Sequence, residues 1–186
     1  MPHQMLFLQG AGEGAYKEDA LLVERLRLAL GDDYEVTYPA MADDGDAPYD
    51  AWKIRIDQAL AELVGPVILV GHSVGGSVLA KYVAEMPDQS QIAGVCLLAS
   101  PFWGGDGWRY DGYEDLEVPQ ALVTKSPAPP MFLFHCRDDE TVPVDHLTLY
   151  QRRFPEAASR VLDDGGHQFD TELTPIAGDI QGRGTP

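Results

Sequence analysis

The sequence predicts an α/β protein: a three-layer sandwich in which a mostly parallel, six-stranded sheet carries helices on both faces. Short apolar runs rich in β-branched residues alternate along the chain with longer runs whose apolar residues recur at helical spacing. Glycine, proline and acidic clusters separate these runs. Strands that alternate with helices form parallel sheets with right-handed crossovers, and ligands bind beyond the carboxyl ends of the strands.

The order of the elements follows from these runs. Six apolar runs predict strands at residues 5–8, 34–38, 67–70, 92–99, 131–136 and 158–162. Helices are predicted at about residues 16–30, 49–63, 77–86, 113–124, 147–154 and 171–180, followed by a loose tail at 181–186. The chain of 186 residues has no internal repeat, so we expect one domain over residues 1–186.

Composition excludes several classes of function. The formal net charge of -17 opposes binding to nucleic acid and to anionic membrane surfaces. This charge predicts a solvated surface, or adaptation to a salty cytoplasm, which the sequence does not separate. No apolar run approaches the roughly 20 residues of a membrane helix, and the N-terminus lacks the basic segment of a signal peptide.

Neither the two cysteines nor the glycine-rich loop has the pattern of a metal or cofactor site. Cys96 and Cys136 fall in apolar strand runs, which is typical of buried thiols in a reducing compartment, so we expect a cytoplasmic protein. The glycines at 10, 12 and 14 do not have the spacing of a dinucleotide-binding loop. We expect a small-molecule substrate, no cofactor and no metal; the sequence leaves the oligomeric state open.

The stretch from Gly71 to Gly75 carries the strongest indication of chemistry. It reads Gly-His-Ser-Val-Gly, and it lies between a predicted strand and a predicted helix. This is the setting of a nucleophile elbow, where a serine sits on a strained turn above the sheet and the following helix directs its N-terminus at the reacting atoms. The alternative is an ordinary turn that contains a serine. We predict Ser73 as the nucleophile.

A serine hydroxyl needs a base, and the base needs an orienting acid. His167 follows the last predicted strand in a flexible loop and can reach over the sheet edge. The other histidines are terminal (His3), in a predicted strand or helix (His135, His146), or too close in sequence to Ser73 to reach its hydroxyl (His72). His167 is therefore the predicted base. The turn after the fifth strand offers three candidate acids, which are Asp138, Asp139 and Glu140.

In this order of serine, acid and histidine the chain resembles the α/β-hydrolase superfamily over nearly its whole length. Members commonly read D-x-x-V-P at the acid, and Asp139-Glu-Thr-Val-Pro143 matches in register, so the resemblance implies Asp139. Gly166-His167 is similar to the usual setting of the base. The small size and the lack of a lid domain resemble lidless serine hydrolases of the retinoblastoma-binding-protein-9-like kind, or small carboxylesterases.

The resemblance also implies an oxyanion hole of two backbone N–H groups. One belongs to the residue after the nucleophile, Val74, and the other to the loop after the first strand. Many members read His-Gly in that loop, where this chain reads Gln9-Gly10. The implied second donor is Ala11, with Gly12 as the other candidate.

An aromatic segment leaves the fourth strand at the same sheet edge. It contains Phe102, Trp103, Trp108, Tyr110 and Tyr113 among glycines and acids. We expect Phe102, Trp103 and Trp108 to bind substrate as one wall of an acyl pocket. The alternative is that these rings fill the end of the core.

Two functions of different classes follow. The first is a serine hydrolase that cleaves small acyl esters or thioesters through an acyl-enzyme, with amide substrates left open. The second is a non-catalytic binding module on the same fold, because a fold does not fix a function.

Overall fold

A computed structural model describes residues 2–42, 45–109, 113–119, 128–171 and 173–183. The strands are β1 (His3–Leu8), β2 (Tyr34–Thr37), β3 (Val67–His72), β4 (Ile92–Leu98), β5 (Met131–Cys136) and β6 (Ala158–Leu162). The helices are α1 (Ala15–Leu30), α2 (Tyr49–Glu62), α3 (Val74–Glu85), α4 (Asp145–Arg153) and α5 (Thr174–Arg183). These elements confirm the predicted fold class.

The sheet has the strand order β2-β1-β3-β4-β5-β6, and every neighbouring pair is parallel. The chain first steps outward from β1 to β2 and then returns to the other side of β1 to form β3. The direction of winding therefore reverses between β1 and β3, so the loops that leave these two strands diverge and open a crevice at the carboxyl edge.

Two apolar clusters cover the two faces of the sheet. Residues of α2, α3 and α4 pack on one face, and residues of α1 and α5 pack on the other. Alternate residues of β1 divide between them: Leu6 and Leu8 join the first cluster, whereas Met5 and Phe7 join the second. This alternation is what a strand buried on both faces requires, because successive side chains point to opposite sides.

Several predicted boundaries differ from the observed ones, among them the starts of β1 at His3, α4 at Asp145 and α5 at Thr174. Helix α3 begins at Val74, directly after Ser73, and not at residue 77. Where residues 113–119 are described, the helix predicted at 113–124 is a single 3-10 turn at Glu114–Leu116, and the buried Leu116 and Val118 are two positions apart, which is not helical spacing. Residues 120–124 lie outside the described part.

Helix α5 runs to Arg183, although the sequence predicts a tail from residue 181. The side-chain amide of Gln181 donates to the carbonyl of Leu30, which anchors the last turn on the end of α1. The remaining tail, residues 184–186, lies outside the described residues. Among the helices that the structure describes, none is long and apolar enough to cross a membrane.

Candidate active site

Ser73 stands between β3 and α3 in a conformation that few residues adopt. Its φ of 52° and ψ of -128° place it in the region that favours glycine. Such backbone strain costs about 1–3 kcal/mol and persists where the surrounding structure enforces it. Here the Ser73 N–H is held by the carbonyl of Leu98 at 2.8 Å, and the first turn of α3 begins at the next residue. This is the geometry of a nucleophile elbow.

Close packing on both sides of Ser73 requires glycine. A Cβ on Gly71 would lie 2.6 Å from the Cα of Gly76. A Cβ on Gly75 would overlap the carbonyl oxygen of Gln9 at the end of β1. The elbow therefore lies directly against residues 9–14, which we call the oxyanion loop.

Ser73 and His167 line one cleft of about 440 Å³ at the carboxyl edge of the sheet. The oxyanion loop forms one side of the cleft, and residues 165–169, which we call the base loop, form the other. The acidic side chains of Glu18, Glu140 and Asp170 also line it. The topology thus brings together the serine after β3 and the histidine after β6, as the sequence predicts.

The imidazole of His167 contacts Asp139. The distance from Nδ1 to the carboxylate Oδ2 is 2.9 Å, and the side chain of Asp139 is fully buried. Because an ionised carboxylate only accepts, Nδ1 carries the proton and the lone pair of the neutral ring lies on Nε2. This is the tautomer that a general base for Ser73 needs.

Asp139 is held in its charged form by two backbone N–H groups and two imidazoles. Its Oδ1 accepts the N–H groups of Thr141 and Val142, and its Oδ2 also lies 3.2 Å from Nε2 of His135, a nitrogen that is 2.8 Å from the carbonyl oxygen of Val142 as well. Burial alone would raise the pKa of Asp139, but the hydrogen bonds from His135, His167 and the backbone hold it well below its usual range. The carboxylate is therefore ionised whenever the fold is intact at neutral pH.

The other two candidate acids have different surroundings. Asp138 accepts the N–H of Gly166 at 2.9 Å and that of Gly165 at 3.3 Å, so it holds the backbone of the base loop. Glu140 is exposed at the rim of the cleft. Of the three, Asp139 is the one whose carboxylate contacts the His167 ring.

The oxyanion loop is fixed by side chains on both of its flanks. Gly10 donates its N–H to Asp19 Oδ2 at 2.7 Å, and the buried Gln9 accepts the N–H of Met41 through Oε1. Within the described residues, the backbone N–H groups of Ala11 and Val74 donate to no other backbone group. Both therefore remain available as oxyanion donors, and so does that of Gly12, the other candidate.

The aromatic segment packs in or against the apolar cluster on the face of the sheet covered by α2, α3 and α4. Trp103 is only 4% exposed and stacks on Tyr113 at 4.9 Å, while Phe102 meets Tyr150 edge-on. None of Phe102, Trp103 and Trp108 lines the cleft that holds Ser73 and His167. They belong to an apolar cluster that also includes Ala11 and Val74. Tyr110 lies outside the described residues.

The burial of Trp103 favours the alternative that it belongs to the core, whereas the half-buried Trp108 stays the better candidate for a substrate wall. Removing a buried ring costs about 3–5 kcal/mol of stability. We expect Trp103→Ala to lose that amount in urea unfolding while its relative kcat/KM for short and medium acyl esters stays constant. Trp108→Ala should change that ratio at nearly constant stability. The reverse pattern would assign the acyl wall to Trp103.

Sequence reasoning missed three residues around this site. His135 contacts Asp139, and His72 contacts both Asp19 and the base loop. Asp19 and His72 are 53 positions apart, so no local motif joins them. The one available signal was the position of Asp19 on the first helix after the oxyanion loop, one turn from its start.

Comparisons with known proteins identify the family and the fold. A family model described as serine hydrolase matches residues 27–170, which is more than half of the chain. The structure of the ydeN gene product from B. subtilis matches with a TM-score of 0.66 at 16% identity, and the match covers 98% of both chains.

Two further structures share the fold. The esterase domain of a Rhodothermus marinus protein matches with a TM-score of 0.66 at 17% identity, over 97% of this chain and 84% of that one. The methylesterase MES16 from Arabidopsis matches with a TM-score of 0.63 at 16% identity, over 97% of this chain and 98% of that one. No curated protein matches the sequence.

Proposed function

The chain belongs to the serine hydrolase family, and from this premise we propose that it cleaves small, uncharged acyl esters through an acyl-enzyme on Ser73. The observation that carries the proposal is the shared cleft, which is lined by a serine on a strained turn and by a histidine oriented by a buried carboxylate. No observation favours the non-catalytic alternative, and the family is one of enzymes.

The proposed reaction has two steps. The oxygen of Ser73 attacks the acyl carbon while Nε2 of His167 takes its proton, and the carbonyl oxygen becomes an oxyanion. As the bond to the leaving group breaks, His167 returns the proton to the leaving oxygen and an acyl-enzyme remains. Water then attacks this ester, His167 again takes a proton, and the proton returns to Ser73 as the carboxylic acid departs.

Two backbone N–H groups stabilise the oxyanion in this proposal. Val74 donates from the first turn of α3, where the helix dipole adds to the effect, and Ala11 donates from the oxyanion loop. Each donor of this kind contributes roughly 3 kcal/mol to the transition state. Asp139 stays ionised and stabilises the imidazolium that forms on His167.

The cleft and the neighbouring apolar cluster differ in polarity, and this supports the substrate assignment. His167 must protonate the leaving oxygen, so the leaving group lies on the side of the polar cleft. The acyl group then faces the apolar cluster that includes Ala11, Val74 and Trp108. Of the described residues that line the cleft, none is Lys or Arg, whereas Glu18, Glu140 and Asp170 are acidic.

This charge distribution disfavours anionic leaving groups such as coenzyme A. Asp170 is paired with Arg25 at 3.1 Å, but in the described part of the chain Glu18 and Glu140 form no salt bridge. Two like charges about 4 Å apart in water repel by about 1 kcal/mol, which is about fivefold in rate. The acidic cleft therefore favours esters of neutral alcohols over acyl-coenzyme A thioesters.

Neutralising both glutamates should relax this preference. We expect Glu18→Gln combined with Glu140→Gln to raise kcat/KM for an ester with an anionic leaving group by about 5- to 25-fold at low salt, from the repulsion above. The gain should shrink at 1 M salt, where charges are screened within about 3 Å. The control is an ester with the same acyl group and a neutral leaving group, and an equal gain on that ester would contradict the assignment.

The proposed function is tested by a panel of p-nitrophenyl esters of increasing chain length, with acyl-coenzyme A thioesters beside it. We expect hydrolysis of short and medium esters, weak activity on the thioesters, and no activity above background in Ser73→Ala. Hydrolysis that persists in Ser73→Ala would contradict the assignment of Ser73, and faster turnover of the thioesters would contradict the substrate class.

A further inference from the structure

The imidazole of His72 lies buried between the two loops of the active site. It is 1% exposed, with Nδ1 at 2.9 Å from Asp19 Oδ2 and Nε2 at 2.9 Å from the carbonyl oxygen of His167. The rings of His72 and His167 are 4.7 Å apart. The mechanism proposed above gives neither Asp19 nor His72 a role.

The partners of this ring fix its protons. A carbonyl oxygen only accepts, so Nε2 of His72 must donate to the backbone of His167. Asp19 Oδ2 accepts the N–H of Gly10 at 2.7 Å, and although burial alone would raise the pKa of Asp19, His72 and this hydrogen bond lower it, so its carboxylate is ionised and only accepts. Nδ1 then also donates, and His72 is an imidazolium paired with the carboxylate of Asp19.

The environment favours this charged pair. Burial alone would lower the pKa of His72 and raise that of Asp19, but their mutual attraction and hydrogen bond outweigh it. The pKa of His72 is therefore raised and that of Asp19 lowered. The side chain of Gln168 adds a further hydrogen bond to Asp19, and the charge of Asp139 also favours the imidazolium.

We propose that Asp19 and His72 are positioning residues that tie the oxyanion loop and the base loop to each other across Ser73. Asp19 holds Gly10, His72 holds the backbone of His167, and Ser73 is the next residue after His72. The role rests on the proposed function, because it sets the distance between the oxyanion donors and the base.

The packing around Gly10 supports this connection. A Cβ on Gly10 would lie 3.2 Å from Cβ of Ser73, 3.6 Å from Nδ1 of His72 and 3.7 Å from Oδ2 of Asp19. The oxyanion loop therefore rests directly on the serine and on the pair. A shift of the pair moves the donors relative to the nucleophile, and a misplacement of about 1 Å can cost about 10²-fold in rate.

Three variants dissect the pair. His72→Gln can still donate to the carbonyl of His167 from the position of Nε2, but it loses Asp19. His72→Asn can still donate to Asp19 from the position of Nδ1, but it loses His167. Asp19→Asn keeps an acceptor for Gly10 and removes the negative charge. The control is Tyr82→Phe, which removes a part-buried hydrogen bond to Asp57; neither residue lines the cleft.

We expect each of the three variants to lower kcat by about 10²-fold, with KM nearly unchanged because both side chains present little surface to a substrate. Rates are referred to active sites counted by fluorophosphonate labelling, and urea unfolding is measured in parallel. Tyr82→Phe should lose stability and keep its kcat. Variants of the pair that keep the wild-type kcat per active site would overturn the proposal.

The pH profile separates positioning from a purely structural role. His167 must be unprotonated to act as a base, so it accounts for the acid limb. Loss of the proton of His72 adds a fall in kcat at alkaline pH. The pKa of His72 is raised, so the charged pair persists up to that pKa and is lost above it. Asp19→Asn no longer favours the imidazolium, so its alkaline limb should move to lower pH.

The charged groups that face His72 are Asp19 and Asp139, with the titratable His167 beside them. An alkaline limb that stays in place would overturn the proposal.

An activity-independent measurement keeps the inference separate from the proposed function. In ¹H–¹⁵N NMR spectra, Asp19→Asn should shift the amide resonances of both the oxyanion loop and the base loop. Shifts confined to one loop would overturn the coupling. If wild-type protein hydrolyses no ester in the panel, the proposed function fails, and these spectra still decide whether Asp19 and His72 join the loops.

Discussion

Ser73→Ala is expected to abolish both ester hydrolysis and covalent labelling by a fluorophosphonate probe, with a loss of about 10⁶-fold in kcat. Alanine keeps the Cβ that the turn already accommodates, so the strained backbone at φ 52° is unchanged and the fold should survive. Only the attacking oxygen is lost. The measurements are turnover of a short p-nitrophenyl ester and gel fluorescence after labelling.

The matched control for this variant is Ser77→Ala. Ser77 lies in the first turn of α3, four residues after Ser73, and is fully buried; its hydroxyl donates to the carbonyl of Pro101. Losing this hydrogen bond should cost about 1 kcal/mol of stability and leave labelling intact. Labelling that survives in Ser73→Ala and disappears in Ser77→Ala would contradict Ser73 as the nucleophile and point to Ser77.

The second large effect is expected for Asp139→Asn, which should lower kcat by up to about 10⁴-fold with the fold intact. The new amide can keep its oxygen toward the N–H groups of Thr141 and Val142, which places its NH₂ group toward His167. Nδ1 of His167 must then accept, so the proton moves to Nε2. The ring can no longer take the proton of Ser73.

Asp138→Asn is the control for this prediction. Asp138 accepts from Gly165 and Gly166 and not from the His167 ring, and an asparagine oxygen can still accept from the base loop. We expect kcat to fall by less than about tenfold. A hydrogen bond to a charged group contributes about 1.5–3 kcal/mol, and the asparagine oxygen keeps part of that contribution. A larger loss in Asp138→Asn than in Asp139→Asn would reverse the assignment of the acid.

The sheet could be predicted from sequence because its strands are buried on both faces. Such strands read as short apolar runs, and the runs at β3 and β5 are entirely buried in the structure. The carboxyl edge then places Ser73 and His167 near each other without any knowledge of side-chain contacts. The local motifs at Gly71–Gly75 and Asp139–Pro143 supply the rest of the candidate triad.

Contacts between distant residues could not be predicted in the same way. From the sequence, His72 could be judged only as a base for Ser73. No sequence pattern shows that α1 brings Asp19 beside the His72 ring. Likewise, the density of aromatic residues after β4 indicates a pocket wall and a core equally well, because both bury rings. Only the packing separates them, through the stacking of Trp103 on Tyr113 and its 4% exposure.

The departure at Gln9 shows how a local pattern can change while the geometry is kept. The resemblance to the α/β-hydrolase superfamily predicts histidine at this position, whereas this chain has a glutamine whose side chain is buried and accepts from Met41. The carbonyl of Gln9 packs against Gly75, so the oxyanion loop is still seated on the elbow. The proposed oxyanion donors are backbone groups, so they do not depend directly on the side chain at this position.

The most direct test of catalysis through Ser73 is to trap its acyl-enzyme. The protein is mixed with an excess of a short p-nitrophenyl ester, quenched in acid within the first turnover, digested and analysed by mass spectrometry. We expect one acyl group per chain, carried by the peptide that contains Ser73, together with a matching burst of p-nitrophenol. Hydrolysis with an acyl group on another residue, or with no acylated peptide and no burst, would contradict this mechanism.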